Sequence, residues 1–342
     1  MNMVGLRREL EARGWDCAVM NLNENRRVKN PEYIDVQDGW DYFRKVLGHV
    51  VRGYAVHVRV NGETKKGYLL ALAALQLARL FGRPALLTYG GGHIQSYLPA
   101  PKGSFRHLAY SFLFRFPHQI YCNSEKVKQV LLTTGVREDI VLPIPNFSAY
   151  YLDFTPVALP AEVEDFYRKH TGVFFSYVCF RKEYALEFFS EAIRRFRTDH
   201  PDIGFMLVGP RGREMEPMQQ FLKAEKLEEG IYVLGSVPHD MFLTLMTRSL
   251  AYIRTPITDG VCSSVLEALQ LKVPVLGSDN DARPLGTELW KEGDLASLVK
   301  LMEETLNHHD EMVERIPELE ISDNASKQAD TIEELCLSAY RG

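Results

Sequence analysis

Short apolar runs separated by amphipathic helical stretches recur along most of this chain, and no other feature of the sequence narrows its fold as much. Runs at 55–60, 85–88, 119–122 and 140–142 have the length and composition of strands, and helical spacing fills 66–81 and 125–134 between several of them. The alternation lapses over 147–170, where Pro156 and Pro160 bracket an acidic, aromatic segment without a strand. It then restarts, with strands at 173–178, 204–208, 231–234 and 250–254 and helices at 185–197, 217–226 and 240–246. Strands joined by helices pair in parallel, because a parallel pair needs a long crossover, and the helices cover both sheet faces. The expected architecture is α/β: two doubly wound domains, 1–150 and 151–320, facing a cleft. A terminal segment, 321–342, has Ile332, Leu335 and Ala339 on one helical face and is expected to cross back to the first domain. The chain opens on a helix marked by Met3, Leu6 and Leu10, which stops at Gly14 and leads into a short strand at 17–20.

With 342 residues, 46% of them apolar and 25% charged, there is material for two cores of about 150 residues each. A net charge of −5 gives no global attraction to nucleic acid, which is not expected as a partner. The five cysteines are odd in number and scattered, with no Cys-x-x-Cys pair, so neither a disulfide framework nor a zinc site is indicated and a reducing compartment fits. The first residues lack the apolar centre of a signal peptide, and the most apolar stretch, 68–81, is broken by Gln76 and Arg79 and is too short to span a bilayer. A cytoplasmic protein is the expectation.

The richest chemistry lies in TDGVCSSVLEALQLKVPVLGSD, residues 258–279. Asp259 stands beside Gly260, and Glu267 follows with seven residues between the two carboxylates. Val265, Leu266, Leu269 and Leu271 recur at near-helical spacing, and 273–276 reads as a buried strand ending at Gly277. Ser263 and Ser264 are placed to begin the helix, where unpaired N–H groups and the helix dipole favour an anion.

With Lys182, the turn Gly235-Ser236-Val237-Pro238 and the Asp259…Glu267 pair in that order, the second half resembles the nucleotide-sugar domain of retaining glycosyltransferases of the GT-B fold, family four. The resemblance extends over most of the chain and implies two Rossmann-like domains. It implies that Glu267 holds the ribose hydroxyls of a nucleotide, that Asp259 faces the transferred sugar, and that Lys182 grips the diphosphate. The family's arginine before that lysine falls on Tyr177 and its glycines on Ser176 and Glu183, which leaves Arg181 to supply a second cation. Gly209, Ser236, Val237, Pro238, Gly260, Val261, Cys262 and Ser263 complete the implied donor site, and His239 beside it reads as a surface histidine. Asn123-Ser124-Glu125 and Ile144-Pro145-Asn146 match two further landmarks. On the acceptor side the resemblance points to Tyr89, Gly90, Gly91, Gly92 and His93, with His93 in a catalytic role. In the family a strand and a glycine-rich loop precede the opening helix, so the first domain is expected to lack its first strand.

The implied activity is metal-independent transfer of a sugar, with retention, from a nucleotide diphosphate sugar to a glycan, lipid-linked or small-molecule acceptor in glycan biosynthesis, with no cofactor. Phe105, Tyr110, Phe112, Phe114 and Phe116, interleaved with Lys102, Arg106, His107 and Arg115, either pack in the first domain, line an acceptor cleft or dock peripherally on an anionic membrane. Two other readings stand beside the enzyme. Tyr177, the short Asp259 and the absent strand suit a catalytically impaired binding or scaffold subunit, and an epimerase shares the fold but lacks its residue pattern here.

Overall fold

Parallel pairing of strands is realised twice. The computed structural model describes residues 3–22, 26–27, 29, 31–62, 64–93, 95, 97–145, 147, 152, 154–180, 182–210, 212–256, 262–318 and 324–341. The chain divides into one unit made of Met1–Tyr150 with Ile321–Gly342 and a second made of Tyr151–Glu320.

The first unit runs α1 (Met3–Ala12), α2 (Gly39–Val51), β1 (Val56–Val60), α3 (Lys65–Leu80), β2 (Ala85–Tyr89), α4 (Phe105–Leu113), β3 (Gln119–Cys122), α5 (Glu125–Leu132) and β4 (Val141–Pro143). Four of these helices start where a side chain accepts first-turn N–H bonds: Asp38, Thr64, Ser104 and Ser124. Such caps contribute about 1 kcal/mol each. The strands form one parallel sheet in the order β1-β2-β3-β4. Period-two alternation sends Ala85, Leu87 and Tyr89 of β2 under α3, α4 and α5, against Leu75, Leu113 and Leu131. Leu86 points the other way, onto Leu6 and Leu10 of α1 and onto the C-terminal helix, Asn324–Arg341, through Ala325, Ala329, Ile332 and Cys336. That helix is also held by polar contacts: Asn324 Nδ2 donates to the Phe147 carbonyl at 2.9 Å, Thr331 Oγ1 and the Tyr121 hydroxyl lie 2.8 Å apart, and Arg13 reaches Ser326 Oγ at 2.6 Å.

Two expectations are corrected here, those for residues 17–20 and for Ala339. Residues 17–20 make only an isolated parallel bridge, Met20 with Ile34, rather than a strand of the sheet. Its partner, Ile34, lies in the connection between α1 and α2 and belongs to neither sheet. Among the described residues no strand precedes β1, whose outer side borders a groove of about 1440 Å³ lined by α1, α2, β1 and α3. The buried face of the C-terminal helix uses Cys336, while Ala339 is exposed. The aromatic segment 105–116 is split between fates, with Tyr110 and Phe114 buried and Phe105, Leu108 and Phe112 left 85%, 58% and 42% exposed.

The second unit runs α6 (Ala161–Lys169), β5 (Gly172–Tyr177), α7 (Leu186–Asp199), β6 (Ile203–Val208), α8 (Met215–Ala224), β7 (Ile231–Leu234), α9 (His239–Thr247), β8 (Tyr252–Arg254), α10 (Ser263–Gln270), β9 (Val275–Ser278), β10 (Thr287–Trp290) and α11 (Leu295–Arg315). Its parallel sheet has the order β10-β9-β8-β5-β6-β7. The central strands are buried on both faces, as parallel strands are. Phe174, Phe205 and Ile253 pack with α7 and α11, and Phe175, Met206, Tyr252 and Val275 pack on the opposite face with α6, α9 and α10. No helix of the described residues is long and apolar enough to cross a membrane.

Candidate functional site

The second sheet grows outward in two directions from β5 and β8, which are neighbours in space with Ser176 opposite Ile253. Loops leaving the carboxyl ends of two such strands go opposite ways and open a crevice between them. A pocket of about 360 Å³ lies there, bounded by Tyr177 at the end of β5, Val208 at the end of β6 and Gly209 after it, Ser236 and Val237 after β7, and Arg254 at the end of β8. His239 and Phe242 of α9 and Cys262, Ser263, Ser264 and Glu267 at the start of α10 close it.

Each wall has a local reason. Gly209 adopts φ +127°, and a Cβ there would sit 2.4 Å from the Val178 carbonyl oxygen, so the position requires glycine and presents bare backbone. Ser176, where the resemblance puts a glycine, donates its hydroxyl to the Ile253 carbonyl at 2.8 Å and ties β5 to β8. α10 begins at Ser263 with no cap from the Cys262 side chain, while Ser264 Oγ sits 2.7 Å from the Tyr252 hydroxyl. This helix therefore directs the positive end of its dipole at the pocket.

Glu267, one turn further on, is only 6% exposed, and its Oε1 lies 3.1 Å from Nε2 of His239. The hydrogen bond to this carboxylate pushes the His239 pKa above its usual value, against the opposing effect of burial. His239 is thus a partner of the buried acid while remaining at the surface, its side chain 42% exposed. Its ring stacks on Phe242 at 6.5 Å between centroids. Arg254, 5% exposed, lies over the rings of Tyr177 and Tyr184 at 5.7 and 5.2 Å and donates to the Tyr177 carbonyl at 3.3 Å.

Of the donor-side residues expected from sequence, the pocket brings together Gly209, Ser236, Val237, Cys262, Ser263 and Glu267. Pro238 sits just behind them as the residue before α9. Lys182 is exposed on a 3-10 turn, Lys182–Tyr184, and is not among the lining residues described. Arg181, Asp259, Gly260 and Val261 lie outside the described residues, as does the landmark Asn146. The sequence reading missed Arg254, Phe242 and the role of His239. The signal for Arg254 was a charge closing the otherwise apolar run Ala251-Tyr252-Ile253.

The residues expected on the acceptor side belong to the first unit, at the end of β2 and in the loop after it. Tyr89 is buried, and a Cβ on Gly90 would meet Arg59 Nε at 2.6 Å. One on Gly91 would meet the Asn61 carbonyl oxygen at 2.5 Å, so packing against the β1 loop already requires glycine at 91. Gly92 is buried and His93 half-buried. Among the described residues no group of three or more His, Cys, Asp or Glu side chains could hold a metal ion.

Residues 166–326, which contain the whole pocket, match the family described as Glycosyl transferases group 1. Glycosyltransferase 1 domain-containing protein 1 of Xenopus tropicalis is 27% identical over 94 residues, a match that spans 27% of this chain and about a quarter, 26%, of that protein. Among solved structures, S. aureus MnaA with UDP superposes with a TM-score of 0.65 at 15% identity, covering 98% of this chain and 93% of that one. Anabaena HepE with UDP-glucose gives 0.60 at 16% identity over 87% and 80%. Sucrose-phosphate synthase from Thermosynechococcus elongatus gives 0.62 at 15% over 98% and 90%. Identities this low establish the fold alone, and that fold is GT-B.

Proposed function

We propose that this chain, whose residues 166–326 belong to the glycosyl transferases group 1 family, is a hexosyltransferase that moves a sugar from a nucleotide diphosphate sugar to an acceptor with retention and without a metal ion. The observation that carries the reading is the buried Glu267 carboxylate beside the dipole of α10 at the reversal of the sheet. A carboxylate accepts two hydroxyl bonds at once, which suits a ribose diol, and the start of α10 with the bare backbone of Gly209 suits a diphosphate. UDP is the first nucleotide to try, because the HepE and MnaA structures were solved with it.

In the proposed reaction the bond from the anomeric carbon to the phosphate oxygen breaks while the acceptor oxygen bonds to the same face. The acceptor proton passes to the departing phosphate, so no protein base is assigned. Lys182 and Arg181 would meet the leaving group and Asp259 the sugar. Tyr89 and the loop from Gly90 to His93, in the first unit, would orient the acceptor. The exposed face of α4, Phe105, Leu108 and Phe112 with Arg106 and the nearby Lys102 and Arg115, suits peripheral contact with the anionic inner face of a membrane, where a cytoplasmic enzyme would meet a lipid-linked acceptor.

The test is nucleotide release from UDP-, GDP- and ADP-sugars, with and without EDTA, followed by the anomeric configuration of the product. Release that EDTA abolishes, or an inverted product, overturns the finer claims. Nucleotide binding that Glu267→Ala removes, with no turnover of any donor, selects the binding-subunit reading. Tyr177 and the exposed position of Lys182 favour that second reading.

A further inference from the structure

We infer that Arg254 is the side chain that receives the donor diphosphate, delivering from β8 the charge that Tyr177 does not deliver from β5. The inference rests on the pocket being a donor site. Ser176 and Ile253 are in register, so the next residues, Tyr177 and Arg254, end adjacent strands on the two sides of the crevice. Adjacent strands are about 4.8 Å apart, a distance an arginine side chain bridges with ease. Either position therefore serves the same point in the pocket.

Among the described lining residues Arg254 is the one lysine or arginine. His239, the other basic group there, is held by Glu267 at 3.1 Å. The guanidinium of Arg254 is fixed in orientation by the faces of Tyr177 and Tyr184 and by the Tyr177 carbonyl. Tyr184 is itself fixed, its carbonyl accepting from Thr255 Oγ1 at 2.8 Å. A planar guanidinium held against two aromatic rings presents its N–H groups as a fork, the arrangement that binds phosphate oxygens in pairs. Across the pocket stand α10 and Gly209, which lines it with backbone alone. Arginine, dipole and bare backbone thus converge on one anionic group, while Glu267 waits for hydroxyls.

The experiment compares UDP with uridine, which carries the base and ribose and lacks the phosphates, by calorimetric titration of the full chain. Arg254→Gln is expected to weaken UDP by about 10- to 100-fold, the value of one or two charge-assisted bonds, and to leave uridine within about twofold. Arg254→Lys keeps the charge without the fork and is expected to show the same selectivity at a smaller loss, which carries the test if the glutamine variant does not fold. The pair Arg254→Leu with Tyr177→Arg, which returns the cation to β5, is expected to recover part of the UDP affinity. Equal losses for UDP and uridine, or no loss for UDP, overturn the assignment of Arg254. A wild-type chain that binds neither UDP, GDP, ADP nor their nucleosides overturns the donor reading itself.

Discussion

The two sheets are written in the same local grammar of short apolar strands and covering helices, yet they end differently. In the first unit the described strands follow one another in chain order, β1 to β4, whereas the second reverses between β5 and β8. In the first, the residues after β2 are fitted tightly against the β1 loop. In the second, the strand ends diverge and leave space beside Glu267 and Arg254. A ligand site of this kind is therefore a property of strand order, which no single segment of sequence contains.

Replacing Glu267 tests that contrast most severely. Glu267→Ala is expected to lower nucleotide affinity by about 100-fold or more, two charge-assisted hydroxyl bonds being lost, with the secondary structure retained in circular dichroism. An unchanged affinity would remove the pocket's claim to be the site.

A milder comparison sets one glycine from each unit side by side. Gly209→Ala and Gly91→Ala each force a Cβ against a carbonyl oxygen, at 2.4 and 2.5 Å, and each is expected to cost about 1–3 kcal/mol in denaturant unfolding. Only Gly209→Ala is expected to weaken UDP as well. Equal weakening by Gly91→Ala would mean that the first unit's loop is as much a part of the nucleotide site as the second's.

The smallest effect concerns pH, and the two units carry opposite signs. His239 is pushed up by its bond to Glu267, so its pair contributes stability in full below the unfolded value of about 6.5 and loses it as pH rises through the raised folded value. His57, lining the first unit's groove with its Nε2 2.8 Å from Thr88 Oγ1, is pushed down to about 4, chiefly by burial. There the unfolded chain takes a proton that the folded chain refuses, so stability is complete above about 6.5 and falls as pH drops toward 4. Melting temperatures against pH are expected to lose their decline on the alkaline side in His239→Gln and part of their acid decline in His57→Gln. The His239 contribution should stay below about 1 kcal/mol, because its side chain is 42% exposed.

The sequence was most legible where burial is most complete. The strands around Phe174 and Phe205 are continuous apolar runs because both faces are covered, and the start of α10 at Ser263 follows from small polar residues before an apolar stripe. It was least legible at edges and surfaces. β10, Thr-Glu-Leu-Trp, is an edge strand with only Trp290 buried, so no apolar run announces it. α2 and α4 each leave a large ring, Trp40 and Phe105, in solvent in their first turn. The pocket was harder still: Arg254 looks like a strand terminator until the sheet sets it beside Tyr177, and the pairing of His239 with Glu267 joins residues 28 positions apart.

The C-terminal helix belongs to the unit that begins the chain, and this inverts the order of assembly on the ribosome. The face of the first sheet carrying Leu86 and Tyr121 has no cover from residues 325–336 until all of 151–320 has been made. At about 5–20 residues per second that interval is on the order of 10–30 s, in which α1 covers its part of that face and the share of the C-terminal helix stays bare. The half synthesised first is the half finished last.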